Sequence, residues 1–224
     1  MENKANRFWL YLLWKGGKVL TKEEVSERYD KFQDMWKDKK NDFEKVFDSL
    51  RKTRIRYIFY KKWHVLSKEE FEDLKNNKFE EHELIFRFLE DQKIPYYLGL
   101  SSAKYLNKLI WQNLKVVYVI NAEFKLKRKI GNIEIELIKF PKELIVNIAL
   151  NKLNKGIPYS DIEKTLLDEI YYQEYKKGKL QISDYNFDEL NIEKIKAYLS
   201  FYSKYKIVKK ELMNKLNKEQ IKLL

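Results

Sequence analysis

The chain contains no cysteine. That excludes disulfide frameworks, thiol nucleophiles and cysteine-based zinc or iron–sulfur sites. Histidine is nearly as scarce: His64 and His82 are the only two in 224 residues, too few for most histidine-rich metal sites. The N-terminal apolar stretch, Phe8 to Trp14, is about one-third of the length that a transmembrane helix needs. It also lacks the small-residue cleavage site of a signal peptide. The expected location is the cytoplasm, with no membrane contact.

Enzyme signatures are missing as well. Gly16-Gly17 is not followed by the Gly-Lys-Ser/Thr of a phosphate-cradling loop, and no GxSxG, HExxH or GxGxxG pattern occurs. Glu134 and Glu136 alternate on one β-rich segment with Lys139 beyond, an order akin to the acidic strand of restriction-type nucleases. The lysine is not two residues after either glutamate, and the pair reads better as the polar face of a half-buried strand. Asp161, Glu163 and Asp168 mark one helix, and carboxylates near a helix N-terminus favour its dipole. Asp168 shares a face with Asp161 and is placed to bond the neighbouring hairpin. No catalytic residue, metal or cofactor is expected.

What the chain has in excess is positive charge. The formal net charge is +12 and the pI about 9.4, with 44% apolar residues to build a core. Such a surplus attracts polyanions: nucleic acid first, an acidic protein second, an anionic membrane surface third. Its clustering is more telling than its total. Arg51 to Lys62 carries six cations (Arg51, Lys52, Arg54, Arg56, Lys61 and Lys62) and no acid. Strand alternation sends Arg54 and Arg56 to one face and Ile55, Tyr57 and Phe59 to the other, so the cationic face can lie along a phosphate backbone. A second patch is Lys125-Leu126-Lys127-Arg128-Lys129, between a buried strand and a tight turn. It reads either as an exposed cationic arm or as edge-strand lysines that prevent aggregation.

The order of elements predicts an α+β protein of two domains. Asn6 to Lys15 reads as a short helix ended by Gly16-Gly17, and Val19-Leu20 as an extended piece. Thr21-x-x-Glu24 is a capping box that opens a helix to about Tyr29. Phe43, Val46, Phe47 and Leu50 mark another helix from about Asn41 to Arg51, then Arg54 to Tyr60 and Trp63 to Leu66 form a ribbon. Helix, turn, helix, helix and two-stranded ribbon is the winged helix-turn-helix plan. A small α+β domain with no nucleic-acid role is the plainer reading of the same order. The third helix offers Lys39, Lys40 and Lys45 to a duplex, but also carries Asp38, Asp42, Glu44 and Asp48, and carboxylates repel phosphate.

Ser67-x-x-Glu70 caps a charged linker helix, so residues 1–66 are expected as a winged-helix domain, 67–79 as a linker and 80–224 as a second, mixed α/β domain. In that domain Val116 to Ala122 reads as a buried strand. Lys125 to Ile130 and Ile133 to Phe140 read as a hairpin around Gly131-Asn132. Ser160-x-x-Glu163 is a third capping box, opening a helix to about Tyr172. Tyr171, Tyr172 and Tyr175 beyond it suit a protein-binding surface. Ile192 to Tyr202 and Ile207 to Leu216 read as C-terminal helices.

Three segments, YYLGLSSAKYL from Tyr96, VVYVINAEFKLKRKIGNIEIELIKF from Val116 and YSDIEKTLLDEIYY to Tyr172, resemble in order and wording the AbiEi-type antitoxins of type IV toxin–antitoxin pairs. The likeness covers roughly Tyr96 to Tyr172, is weaker towards the C-terminus, and is only architectural before Leu66. The family's short Ser/Thr/Arg-rich recognition segment is missing. The resemblance implies an N-terminal winged helix joined to a C-terminal antitoxin domain. It implies a repressor that binds double-stranded operator DNA and opposes a nucleotidyltransferase-type toxin or the effect on its target. A winged-helix regulator without a toxin, a restriction-type enzyme using Glu134 or Glu136, and an RNA-binding module stand as alternatives. Sequence leaves the oligomeric state open.

Overall fold

The computed structural model describes residues 2–16, 19–36, 43–53, 55–57, 62–76, 83–112, 114–130, 133–145, 150–153, 156–176 and 184–223. The fold is mixed α+β, in two compact units, Met1–Lys93 and Ile94–Leu224.

In the first unit the order is α1 (Glu2–Trp14), β1 (Val19–Thr21), α2 (Lys22–Trp36), α3 (Phe43–Thr53), β2 (Ile55–Tyr57), β3 (Lys62–Val65), α4 (Lys68–Lys75) and α5 (Glu83–Asp91). α1 turns one face inward through Ala5, Phe8, Trp9 and Leu12. Gly16, at a φ of 70°, ends it as the sequence predicts. The Thr21 capping box forms: Glu24 N donates to Thr21 Oγ1 at 3.1 Å and Thr21 N donates to Glu24 Oε2 at 2.6 Å. α2 then runs a further two turns beyond the expected end at Tyr29. Val25, Tyr29 and Phe32 continue the inward stripe at helical spacing, and all three are buried. Phe8 meets Tyr29 edge-on at 5.0 Å and Phe32 at 5.3 Å, in a core completed by Val46, Phe47 and Leu50 of α3.

Around that core β1 pairs antiparallel with β3, and β3 with β2, giving the order β1-β3-β2. The Ser67 capping box also forms, at 2.6 and 3.1 Å. The helix it opens, read from sequence as a linker, is α4, and it is held on α1. Trp9 Nε1 donates to Leu66 O at 2.8 Å, and the Trp9 ring lies 5.4 Å from Phe71. Arg87 of α5 forms an ion pair with Glu70 of α4, so both helices belong to the first unit.

The second unit contains β4 (Tyr96–Leu98), α6 (Leu100–Leu106), β5 (Val116–Asn121), β6 (Leu126–Ile130), β7 (Ile133–Lys139), β8 (Asn151–Lys152), β9 (Pro158–Tyr159), α7 (Ile162–Lys176), α8 (Ile192–Leu199), α9 (Lys206–Met213) and α10 (Lys218–Leu223). Its sheet runs β6-β7-β5-β4-β9-β8. The expected hairpin is β6 against β7, antiparallel, with Lys129 opposite Glu134. β7 then lies parallel beside β5. Asn121, buried at the end of β5, shapes the turn into β6: its Oδ1 accepts from Glu123 N at 2.9 Å and Phe124 N at 2.6 Å.

α7 is the central helix. Leu166, Leu167 and Ile170 pack with Tyr97, Ile120, Ile138 and Phe140 of the sheet, and with Ile195, Tyr202 and Val208 of the C-terminal helices and their connection.

Candidate nucleic-acid interface

α3 holds Lys45, Arg51 and Lys52 on its outer side. Its inner side, Val46, Phe47 and Leu50, is buried, which leaves Glu44, Lys45, Asp48, Arg51 and Lys52 exposed. The two exposed carboxylates have cationic partners on the protein. Lys22 Nζ lies 2.8 Å from Glu44 Oε1, and Arg51 Nη2 lies 3.3 Å from Asp48 Oδ1. Exposed pairs of this kind stabilise a fold little, roughly 0–1 kcal/mol. They do reduce the repulsion that Glu44 and Asp48 offer to a phosphate.

Lys39, Lys40, Arg54 and Lys61 lie outside the described residues. Arg56 lies in β2, in register with His64, and Lys62 lies in β3, in register with Thr21 of β1. The order α1-β1-α2-α3-β2-β3 thus sets the β2–β3 ribbon directly after α3 in sequence, with β2 paired to β3. His82 lies outside the described residues.

The second basic patch is partly satisfied by the protein itself. Lys127 Nζ lies 2.8 Å from Glu134 Oε1, and that bond holds the Lys127 ammonium above its ordinary pKa range. Register sets Lys127 opposite Glu136 and Lys129 opposite Glu134, while Arg128 is half-buried opposite Ile135. β6 ends the sheet order, so its lysines also guard an edge. Lys125, in the turn before β6, and Lys129 are exposed.

α7 contains the arrangement that sequence reading missed. Lys164 and Asp168, both with 0% exposure, form an ion pair one turn apart. Lys164 Nζ also donates to Tyr97 OH at 2.9 Å and Tyr202 OH at 2.7 Å. Those phenols donate to Asp168, at 2.8 Å from Tyr97 and 2.5 Å from Tyr202. Asp168 therefore bonds β4 and the C-terminal region, and not the hairpin as expected. Burial pushes the Lys164 ammonium down and the Asp168 carboxyl up in pKa, each opposed by its partner's charge. Burial likewise drives the Tyr97 and Tyr202 phenols well up.

One residue along, Glu169 accepts from Tyr185 OH at 2.9 Å and lies 3.3 Å from Lys104 Nζ, which also reaches Asp184 at 2.8 Å. Burial pushes Glu169 up to about 7, against the pull of Lys104. Lys104, Lys164, Asp168 and Glu169 are buried, and their bonds tie β4, α6 and the C-terminal region to α7.

The third capping box does not form as expected. Asp161, not Ser160, caps α7, accepting from Lys164 N at 2.9 Å. Ser160 Oγ bonds Thr165 Oγ1 at 2.7 Å, and the buried Glu163 accepts from Asn191 N at 2.9 Å, fixing the start of α8. A carboxylate one place after the serine is an equally good cap. Tyr171, read as surface, is buried: it stacks on Tyr175 at 5.1 Å and meets Phe140 edge-on at 4.7 Å.

Among the described residues no group of three or more His, Asp or Glu side chains is placed to hold a metal ion, and no helix is long and apolar enough to cross a membrane. Compared with known proteins, the chain matches no family model and no curated protein.

Proposed function

We propose that this chain is a DNA-binding regulator whose first unit works as a winged helix. The observation that carries the reading is the element order α1-β1-α2-α3-β2-β3 with the antiparallel sheet order β1-β3-β2. In a winged helix that arrangement gives α3 to the major groove and the β2–β3 ribbon to the flanking backbone. Here α3 ends in exposed Arg51 and Lys52, and the segment that follows, to Lys62, adds Arg54, Arg56, Lys61 and Lys62 with no acid. Lysine and arginine at these places position a protein on phosphates without reading bases. Lys39, Lys40, Lys45, Arg54, Arg56, Lys61 and Lys62 complete the proposed surface, with Lys125, Lys127, Arg128 and Lys129 as a weaker second region.

The antitoxin reading extends this proposal. On the resemblance over Tyr96 to Tyr172, the second unit is an AbiEi-type domain, and the protein represses its own operon and opposes a nucleotidyltransferase-type toxin. Two experiments separate the halves. Nuclease footprinting on the gene's upstream region should show protection that disappears when Arg51 and Lys52 are both changed to Ala. Co-expression with a neighbouring toxin gene should restore growth. Protection without rescue would leave a winged-helix regulator that has no toxin partner.

A further inference from the structure

The second unit holds a cavity of about 480 Å³ that shares only Lys125 with the surface proposed above. Its size falls within the roughly 300–1,000 Å³ of small-molecule sites. Four lysines surround it: Lys125 before β6, Lys139 at the end of β7, Lys142 in the short turn after it, and Lys176 at the end of α7. All four are exposed, and among the described residues none forms an ion pair. Ile138, Phe140 and Tyr172 supply an apolar and aromatic wall. Glu136 is the single carboxylate in the lining.

Each part constrains the ligand. Four cations around one acid select an anion of more than one charge. A bare phosphate needs only the lysines and would leave the ring-lined wall against water, so the ligand has a flat, weakly polar part as well. Phe140 is fixed by its edge-on packing on Tyr171, so the wall is already in place. Glu136 is half-buried on β7 and has acceptor oxygens for a hydroxyl or amine of that flat part. Partial burial and the charge of Glu136 raise the Tyr172 phenol, which stays protonated and able to donate.

We infer that this cavity binds a nucleoside phosphate, with the phosphates on the lysine rim and the base against the partly exposed ring of Tyr172. The same chemistry is presented by a free nucleotide and by the terminal nucleotide of a nucleic-acid strand. This site does not depend on the first unit binding DNA.

The test is calorimetric titration of the full chain with ATP, CTP, tripolyphosphate, adenosine and a 5′-phosphorylated pentanucleotide. The account expects saturable binding of a nucleotide or of the pentanucleotide. It should be at least about tenfold tighter than that of tripolyphosphate or adenosine, and weakened about tenfold or more by Lys139→Ala with Lys142→Ala. Both lysines are exposed, and an unchanged melting temperature would show that the variant folds. Tyr172→Leu should reduce nucleotide binding while leaving tripolyphosphate unaffected. Preference for the pentanucleotide would assign the site to a strand end, and preference for ATP or CTP to a free nucleotide. Equal binding of tripolyphosphate and nucleotide would overturn the inference. So would indifference to the lysine changes, or no binding of any nucleoside phosphate at millimolar concentration.

Discussion

Lys164 and Asp168 form an ion pair one turn apart on α7, with neither side chain reaching solvent, and the phenols of Tyr97 and Tyr202 close the ring of hydrogen bonds around them. A buried pair of this kind is destabilising to break and less so to replace. Asp168→Leu should cost about 3–5 kcal/mol, because it strands the Lys164 ammonium. Lys164→Met together with Asp168→Leu should cost less than either single change. Urea unfolding of the three variants gives the coupling energy directly, and simple additivity would show that the two groups act independently.

Glu169 makes stability depend on pH. Its folded pKa is about 7, against an ordinary value of 4.5. Between those values the folded state keeps a proton that the unfolded chain releases. The stabilisation from this group is thus complete below pH 4.5 and disappears as pH rises through 7. Over that interval the stability of the native protein relative to Glu169→Gln should fall by on the order of 3 kcal/mol. Denaturant midpoints of both proteins across that range would reveal it, and parallel curves would place Glu169 in the ordinary carboxylate range.

Gly99 sits where its neighbours leave no room. A Cβ there would overlap Ile120 Cδ1 and come within 2.9 Å of Cγ1, and Ile120 is fully buried. Gly99→Ala should destabilise the second unit by about 1–3 kcal/mol. Adding Ile120→Val removes the nearest atom and should recover part of that stability. Thermal unfolding of the single and double variants decides it, and a harmless Gly99→Ala would mean that the strand shifts freely.

Asp161 serves both as the cap of α7 and as the acceptor for Tyr198 OH at 2.8 Å and Lys194 Nζ at 3.2 Å. Asp161→Ala should cost about 2 kcal/mol, at the upper end for a helix cap. Ser160→Ala, at the position where the sequence motif places the cap, should cost less. The reverse ranking in denaturant unfolding would restore the Ser160 box.

Local signals were legible in the sequence where they had no competitor. Thr21 and Ser67 each stand alone before their helices, and both boxes form. Ser160 is followed at once by Asp161, and choosing between two caps depends on Tyr198 and Lys194, far along the chain. The β6–β7 hairpin was readable because its turn is local. The parallel neighbourhood of β5 and β7 was not, since nothing in either strand names its partner. α7 concealed its charges for another reason. Glu163 to Tyr171 are all buried, and a helix enclosed on every side has no polar stripe to betray which charges point inward. Lys164 and Asp168 therefore look like an ordinary exposed i, i+4 pair. On the proposed interface, α3 was placed by its apolar spacing, while the pairing of Glu44 with Lys22 required the fold.

The most direct test of the regulator proposal is fluorescence anisotropy of a labelled duplex from the gene's own upstream region against a scrambled duplex, titrated with the full chain at several salt concentrations. The account predicts tighter binding to the upstream duplex. The logarithm of affinity should fall linearly with the logarithm of salt. Changing Arg51 and Lys52 to Ala should make that slope shallower by roughly 0.9 for each phosphate the variant no longer neutralises. Equal, weak binding to both duplexes, with a slope that the Arg51 and Lys52 changes leave untouched, would contradict it.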